Sequence, residues 1–245
     1  AKKYGFTVVH VPVAHPGNEQ QSQWLKVRQE KPDWVILRGW GVMNPTAIKA
    51  AAKIGFPRDK IVGVWWSGAE EDTIPAGEAA KGFIAAGFNV AGANYPVIKE
   101  IQDKVYKKNK GNMEDKARVG SVYYNRGVVH GIITVEAMRT AQAKYGKGKV
   151  LSGEEMRWGF ENLNIDAKRL KELGAEGFMP DLKVSCLDHE GSGKVKFQQW
   201  DGKQWKVITD WIDADQTIVR PMIEESAAKY AKEKNITPRD CSKEG

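Results

Sequence analysis

Residues 31–66 read KPDWVILRGWGVMNPTAIKAAAKIGFPRDKIVGVWW, and this stretch decides the fold class. Lys31-Pro32-Asp33 is a break, and the apolar run at 34–37 that follows it is strand-length. Asn44-Pro45 opens a helix, with Asn as the cap and Pro in the first turn. Its apolar positions are Ala47, Ile48, Ala51, Ala52 and Ile54, at helical spacing, and Gly55 ends it. Residues 61–65 (IVGVW) are the next strand. Strand, crossover helix and strand in so short a stretch form the unit of a parallel sheet with helices on its faces.

Upstream, residues 18–30 form a helix with Trp24, Leu25 and Arg28 at helical offsets and Asn18 as its candidate cap. Residues 6–13 (FTVVHVPV) are a β-rich run compatible with a buried strand. Ala1 to Gly5 reads as the last turn of a helix closed by glycine, which implies polypeptide upstream. Downstream, 67–78 is a polar loop with a short helical piece, and 82–88 (GFIAAGF) is a fourth strand.

The pattern changes near residue 90. Helices are predicted at 96–109, 116–144, 152–163 and 166–173, the third opened by Ser152 with Glu155 three residues on, a capping box. The helix at 116–144 carries Val122, Val129, Ile132, Ile133, Val135, Met138 and Ala141, and this chain has few local strands to cover it. The sequence therefore predicts that another polypeptide, a missing N-terminal part or a second copy, packs on the helices of 96–173. Strands return at 182–187, 195–200 and 205–212, with Asp201-Gly202 as a hairpin turn. A terminal helix covers 219–234, with no role assigned to it.

The composition excludes several classes. The 245 residues are 41% hydrophobic and 28% charged, neither fibrous nor disordered. No apolar stretch approaches the ~20 residues of a bilayer span, and no signal peptide is present in the sequence. The net charge of +7 comes from scattered residues; the densest group, Lys104, Lys107, Lys108 and Lys110, reads as a solvated helix end, so no nucleic acid is expected. There is no G-x-G-x-x-G after a strand, no P-loop and no G-x-S-x-G elbow. His10, His15, His130 and His189 do not make a ligand set, and Asp188-His189-Glu190 reads as a polar turn. No catalytic residues, metal or cofactor are expected, and the protein is read as not an enzyme. Cys186 and Cys241 leave two readings open: a bridge if the protein is exported, or a buried thiol at Cys186 in an apolar strand.

The nine tryptophans are more informative. Trp40 falls just past the strand at 34–37, and Trp65 and Trp66 at the end of the strand at 61–65. Open parallel sheets bind ligands outside the carboxyl ends of their strands. Asn44, Ser67, Glu70, Glu71 and Asp72 lie close by in sequence. Large apolar rings with a few polar anchors suit a small-molecule site; the competing reading has the same rings plugging a core or an interface.

The order of elements resembles a known family. Tyr4-Gly5 before a strand, Pro16-Gly17-Asn18 into a helix, Lys31-Pro32-Asp33-Trp34-Val35-Ile36-Leu37, and Ala51-Ala52-Lys53-Ile54-Gly55-Phe56-Pro57 resemble the second lobe of type I periplasmic solute-binding proteins. These serve ABC importers of the leucine/isoleucine/valine-binding kind. Gly77-Glu78-Ala79-Ala80-Lys81-Gly82-Phe83 resembles that family's entry to a strand, 123–140 its long helix, and Phe197-Gln198-Gln199-Trp200-Asp201-Gly202 its closing strand and hairpin. The resemblance implies an α/β fold of two lobes, parallel sheets flanked by helices, with the first lobe incomplete here. Residues 1–90 would be the main part of the second lobe, 91–190 the remaining helical half of the first, and 191–245 second-lobe closing strands and a C-terminal helix. The implied function is the periplasmic, exported substrate-binding component of an ABC importer, with a membrane permease as partner and a small amino-acid-like solute trapped between lobes. The alternatives are a ligand-sensing domain of a receptor or regulator, or an α/β enzyme with its catalytic loop elsewhere. Trp40 falls where amino-acid binders of the family often carry an aromatic contact. Trp65 falls about where they carry the acidic partner of the ligand ammonium. That departure leaves Glu70, Glu71 or Asp72 to supply the charge, or points to an aromatic or branched carboxylate or amide.

Overall fold

The structure, a computed structural model, describes residue 1 and residues 4–243. The helix tail read at 1–5 rests in part on Lys2 and Lys3, which lie outside the described residues. In chain order the elements begin α1 (Gln21–Glu30), β1 (Val35–Leu37), α2 (Met43–Lys53), β2 (Ile61–Gly63), the single-turn α3 (Glu70–Thr73) and β3 (Ile84–Gly87). They continue α4 (Pro96–Lys104), α5 (Val122–Tyr145), α6 (Gly153–Glu161), β4 (Asn164–Ile165), α7 (Ala167–Glu172), β5 (Leu182–Lys183), β6 (Lys196–Trp200), β7 (Trp205–Val207) and α8 (Gln216–Glu233). The chain divides into two compact units, 1–92 with 121–123 and 196–210, and 93–120 with 124–195 and 211–245.

The first unit is a five-stranded sheet in the order β1-β2-β3-β6-β7. Its first three strands run parallel, with Val35 opposite Ile61 and Val62 opposite Ile84. β6 and β7 return antiparallel through the Asp201-Gly202 turn, where the Asp201 carboxylate accepts from the amides of Lys203 and Gln204. Ala47, Ile48 and Ala51 of α2, Trp24 and Val27 of α1, Ile61, Phe83, Ala85, Trp200 and Trp205 form one buried cluster. Trp24, Ala47, Ile48 and Ala51 are positions that helical spacing singled out, whereas Leu25 is 44% exposed and Val27 takes the buried place on α1. α1 ends where Lys31 takes a left-handed conformation (φ 50°) ahead of Pro32, which cannot continue a helix.

Two expectations are corrected here. Residues 6–13 form no strand: Phe6, Val8 and Val9 are half exposed, and the run has no ladder partner among the described residues. Strand preference is a fit to a pleated, half-buried surface, and it has no effect without a neighbouring edge. Asn18 does not cap α1, which starts three residues later; the buried Gln20 amide instead donates to Gly17 O (2.9 Å) and Met43 O (2.8 Å), fastening α1 to α2.

The second unit is mainly helical, with β4 and β5 as a two-stranded antiparallel pair. Ile98, Val129, Ala137, Ala141, Leu163, Ile165, Leu170 and Phe178 are among its buried apolar residues. Ser152 caps α6, accepting from the Glu155 amide (3.3 Å) while the Glu155 carboxylate accepts from Ser152 N (2.9 Å), the predicted capping box. Arg169 makes a bidentate pair with Glu136 (2.7 and 2.8 Å), joining α7 to α5. The predicted strand at 182–187 shrinks to β5. Ser185 and Asp188 exchange backbone hydrogen bonds (2.9 and 3.2 Å), closing a turn that holds Cys186. Cys186 is disulfide-bonded to Cys241, so neither a strand nor a free thiol is found there. No residue of α8 is buried. It and the tail behind it are fastened by Arg220 to Asp188 (2.7 Å), by Arg239 to Glu161 (2.7 and 2.5 Å) and by the disulfide. Among the described residues no helix is long and apolar enough to cross a membrane.

Candidate functional site

The carboxyl ends of β1 and β2 lie side by side, because the two strands are parallel neighbours in register. Each delivers aromatics to that edge. β1 ends at Leu37 and Trp40 follows; β2 ends at Gly63 and Trp65–Ser67 forms a single 3-10 turn, closed by Ser67 N donating to Val64 O (2.8 Å). The Trp40 and Trp66 rings meet edge to face at 5.9 Å, and Trp65 lies 5.0 Å from Trp66. Trp40, Trp65 and Trp66 are 48%, 40% and 39% exposed, so the rings form a solvent-facing wall and not a core plug. His15 stacks on Trp40 at 6.0 Å. In sequence His15 was visible only as a histidine near a strand end, and nothing there showed which ring it meets.

The polar residues of the expected site divide differently. Asn44 and Ser67 are fully buried and Asp72 is 1% exposed. Asn44 lies inside the first turn of α2 and does not cap it. Its Nδ2 donates to Trp66 O (2.8 Å) and to Asp72 Oδ1 (2.7 Å). Ser67 Oγ stands 2.9 Å from Gly39 O and 3.0 Å from Asn44 Oδ1. Asp72 Oδ2 accepts from Ala69 N (2.9 Å), fixing the start of α3. Glu70 Oε2 accepts from Val122 N (3.0 Å), at the first residue of α5. Both carboxylate oxygens of Glu71 are buried. The tryptophans thus come together at the surface, while Glu70 Oε2, both Glu71 carboxylate oxygens and both Asp72 carboxylate oxygens serve or occupy the interior. Gly39 was missed by sequence reasoning: a Cβ there would stand 2.5 Å from Asn44 Oδ1, so only glycine lets the β1 loop close over Asn44.

The chemistry open to such a wall is stacking and apolar contact. Among the described residues no group of three or more His, Cys, Asp or Glu has the arrangement to hold a metal ion.

The carboxyl edge of an open parallel sheet is where α/β proteins of many functions bind ligands. Residues 1–204 match the periplasmic binding protein family, and the chain belongs to that family, one of substrate-binding proteins with the type I fold. No curated protein matches the sequence significantly. Among solved structures, a protein of the Pseudomonas fluorescens group described as an ABC transporter permease is 50% identical over 98% of this chain and 58% of its own, with a TM-score of 0.94. A branched-chain amino acid ABC transporter protein from Thermus thermophilus with bound valine is 18% identical (TM-score 0.69; 89% of this chain, 56% of that one). A solute-binding protein from R. palustris in complex with benzoate is 16% identical (TM-score 0.56; 83% and 50%). The last two share the fold. The chain spans between 50% and 58% of the length of these relatives.

Proposed function

We propose that the protein is the substrate-binding component of an ABC importer, working outside the cytoplasm and delivering a small solute to a membrane permease without chemistry. The observation that supports it most is the wall of Trp40, Trp65 and Trp66 at the carboxyl edge of a parallel sheet, in a chain of the periplasmic binding protein family. The proposed ligand is an aromatic or branched carboxylate, or an amide-like solute. Burying an apolar ring or branched chain contributes roughly 1.5–3 kcal/mol. Burying a ligand ammonium beside these rings without an anionic partner costs more than that gain. The nearby carboxylates favour this choice: Asp72 is tied to Asn44 and Ala69, Glu70 to Val122, and the Glu71 oxygens are buried. The relatives' ligands, benzoate in one and valine in another, bracket the two chemistries.

Calorimetry with leucine and with benzoate tests the assignment. Heat of binding for the acid and none for leucine is the expected result. Tight leucine binding with no response to the acid would sink the ligand class and return Glu71 to the role of ammonium partner, to be checked with Glu71→Gln.

We also propose that a further polypeptide, another part of the same protein or a second copy, covers α5. The support is that α5 carries apolar residues on all sides: Val129, Ala137 and Ala141 are buried, and Val135 and Met138 are 49% and 41% exposed. Large apolar side chains left exposed beside a buried face of the same helix mark surface that a further layer can cover.

A further inference from the structure

We propose that Asn44, Ser67 and Asp72 are positioning residues: a buried hydrogen-bonded knot that sets the geometry of Trp40, Trp65 and Trp66 and does not touch the ligand. This rests on the binding role proposed above for those rings.

The knot reaches the backbone on both sides of the wall. On the β1 side it holds Gly39 O, one residue from Trp40, through Ser67 Oγ. On the β2 side it holds the carbonyl of Trp66 itself through Asn44 Nδ2. Asp72 Oδ1 fixes the same amide, and Asp72 Oδ2 fixes the turn at Ala69. Four segments therefore meet in three side chains: the loop after β1, the first turn of α2, the turn after β2, and α3. An Asn amide has two N–H hydrogens, and both are used. The single Ser67 hydroxyl proton is shared among Gly39 O, Asn44 Oδ1 and the more distant Leu37 O. No donor on either residue remains for a ligand, and burial puts all three behind the rings. The site is closed around this knot by glycine. A Cβ on Gly39 would meet Asn44 Oδ1 at 2.5 Å, and one on Gly63 would meet Ser67 Cβ at 2.8 Å. Sites whose contact residues are held by hydrogen-bonded neighbours keep their geometry, and satisfied buried networks are rigid.

The experiment uses the whole chain, with benzoate as probe and the exciton circular-dichroism couplet of the packed indoles as a geometric readout. Asn44→Ala should collapse the couplet and weaken benzoate binding by about tenfold or more, since two buried acceptors lose their donor. The swap Asn44→Asp with Asp72→Asn restores a bond between positions 44 and 72 but puts a carboxylate, not a donor, against the Trp66 carbonyl. It should regain melting temperature relative to Asn44→Ala without regaining the couplet, which a purely structural role would not produce. If Asn44→Ala does not fold, Ser67→Ala, which removes the ties to Gly39 O and to Asn44 Oδ1 but leaves the Asn44 donor bonds in place, is read the same way. Loss of benzoate binding with an unchanged couplet would show direct contact with the ligand and overturn the proposal. An unchanged couplet and unchanged binding would overturn it as well. If the native chain binds no benzoate while the couplet still collapses in the variants, the binding assignment fails and the positioning role stands.

Discussion

At the scale of single residues, the positions that matter most are those where side-chain chemistry has one structural solution. Gly39 is one. Gly39→Ala forces a Cβ against an Asn44 amide held by two other partners, so neither side yields cheaply. A loss of about 1–3 kcal/mol is expected in denaturant melts, as for other overpacked interiors. Glu161 is another. The Arg239 guanidinium hydrogen-bonded to it holds its carboxyl below the ordinary carboxylate range, with burial opposing and Arg157 and His189 assisting. A carboxyl depressed in the folded state stabilises above its unfolded value and loses that contribution as pH falls through the folded one. Melts across the acid range should therefore show stability falling as Glu161 protonates. Glu161→Gln should lower stability near neutrality and flatten this acid limb; an unchanged limb would show that other carboxylates govern it. The His15–Trp40 contact belongs to this scale too, and no spacing rule in the sequence pairs residues so far apart.

At the scale of elements, periodicity located α2, the capping box located α6, and strand preference misjudged the run at 6–13. α6 was legible because its signal is local: Ser152 and Glu155 satisfy each other within one turn. Ser152→Ala should cost about 1 kcal/mol in thermal melts, the usual worth of such a cap; no loss would mean that packing alone sets the start of α6. The run at 6–13 was not legible, because whether a β-rich segment pairs depends on which edge is present, and that is not a local property. β1 is the terminal strand of its sheet, with Trp34 50% and Ile36 76% exposed. An open apolar edge invites pairing with other chains. Ile36→Thr should leave stability within about 0.5 kcal/mol, as surface substitutions do, and reduce aggregation measured by light scattering. A large loss of stability would place Ile36 in a packed layer.

At the scale of the molecule, the remaining question is what covers α5. If a further layer belongs there, the chain by itself should bind a hydrophobic dye at the exposed Val135 and Met138; a chain that takes up no dye would contradict the proposal. The sequence by itself determined the parallel α/β class and the membership signalled by residues 1–204, because strand and helix periods and turn chemistry are short-range and repeat. It also determined that Trp40, Trp65 and Trp66 share one edge, because strands β1 and β2 are joined by a single crossover helix, which leaves them parallel and their carboxyl ends together. Only the tertiary structure decided the division of labour behind them. Asn44, Ser67, Glu70, Glu71 and Asp72 read alike as polar neighbours of the rings. Burial separates them, since a buried amide or carboxylate must find partners and is then spent on the fold. The Cys186–Cys241 pairing was likewise a matter of three dimensions: the sequence separation of 55 residues says nothing about whether two sulfurs meet, and the turn at Ser185–Asp188 and the Arg239–Glu161 pair place them together.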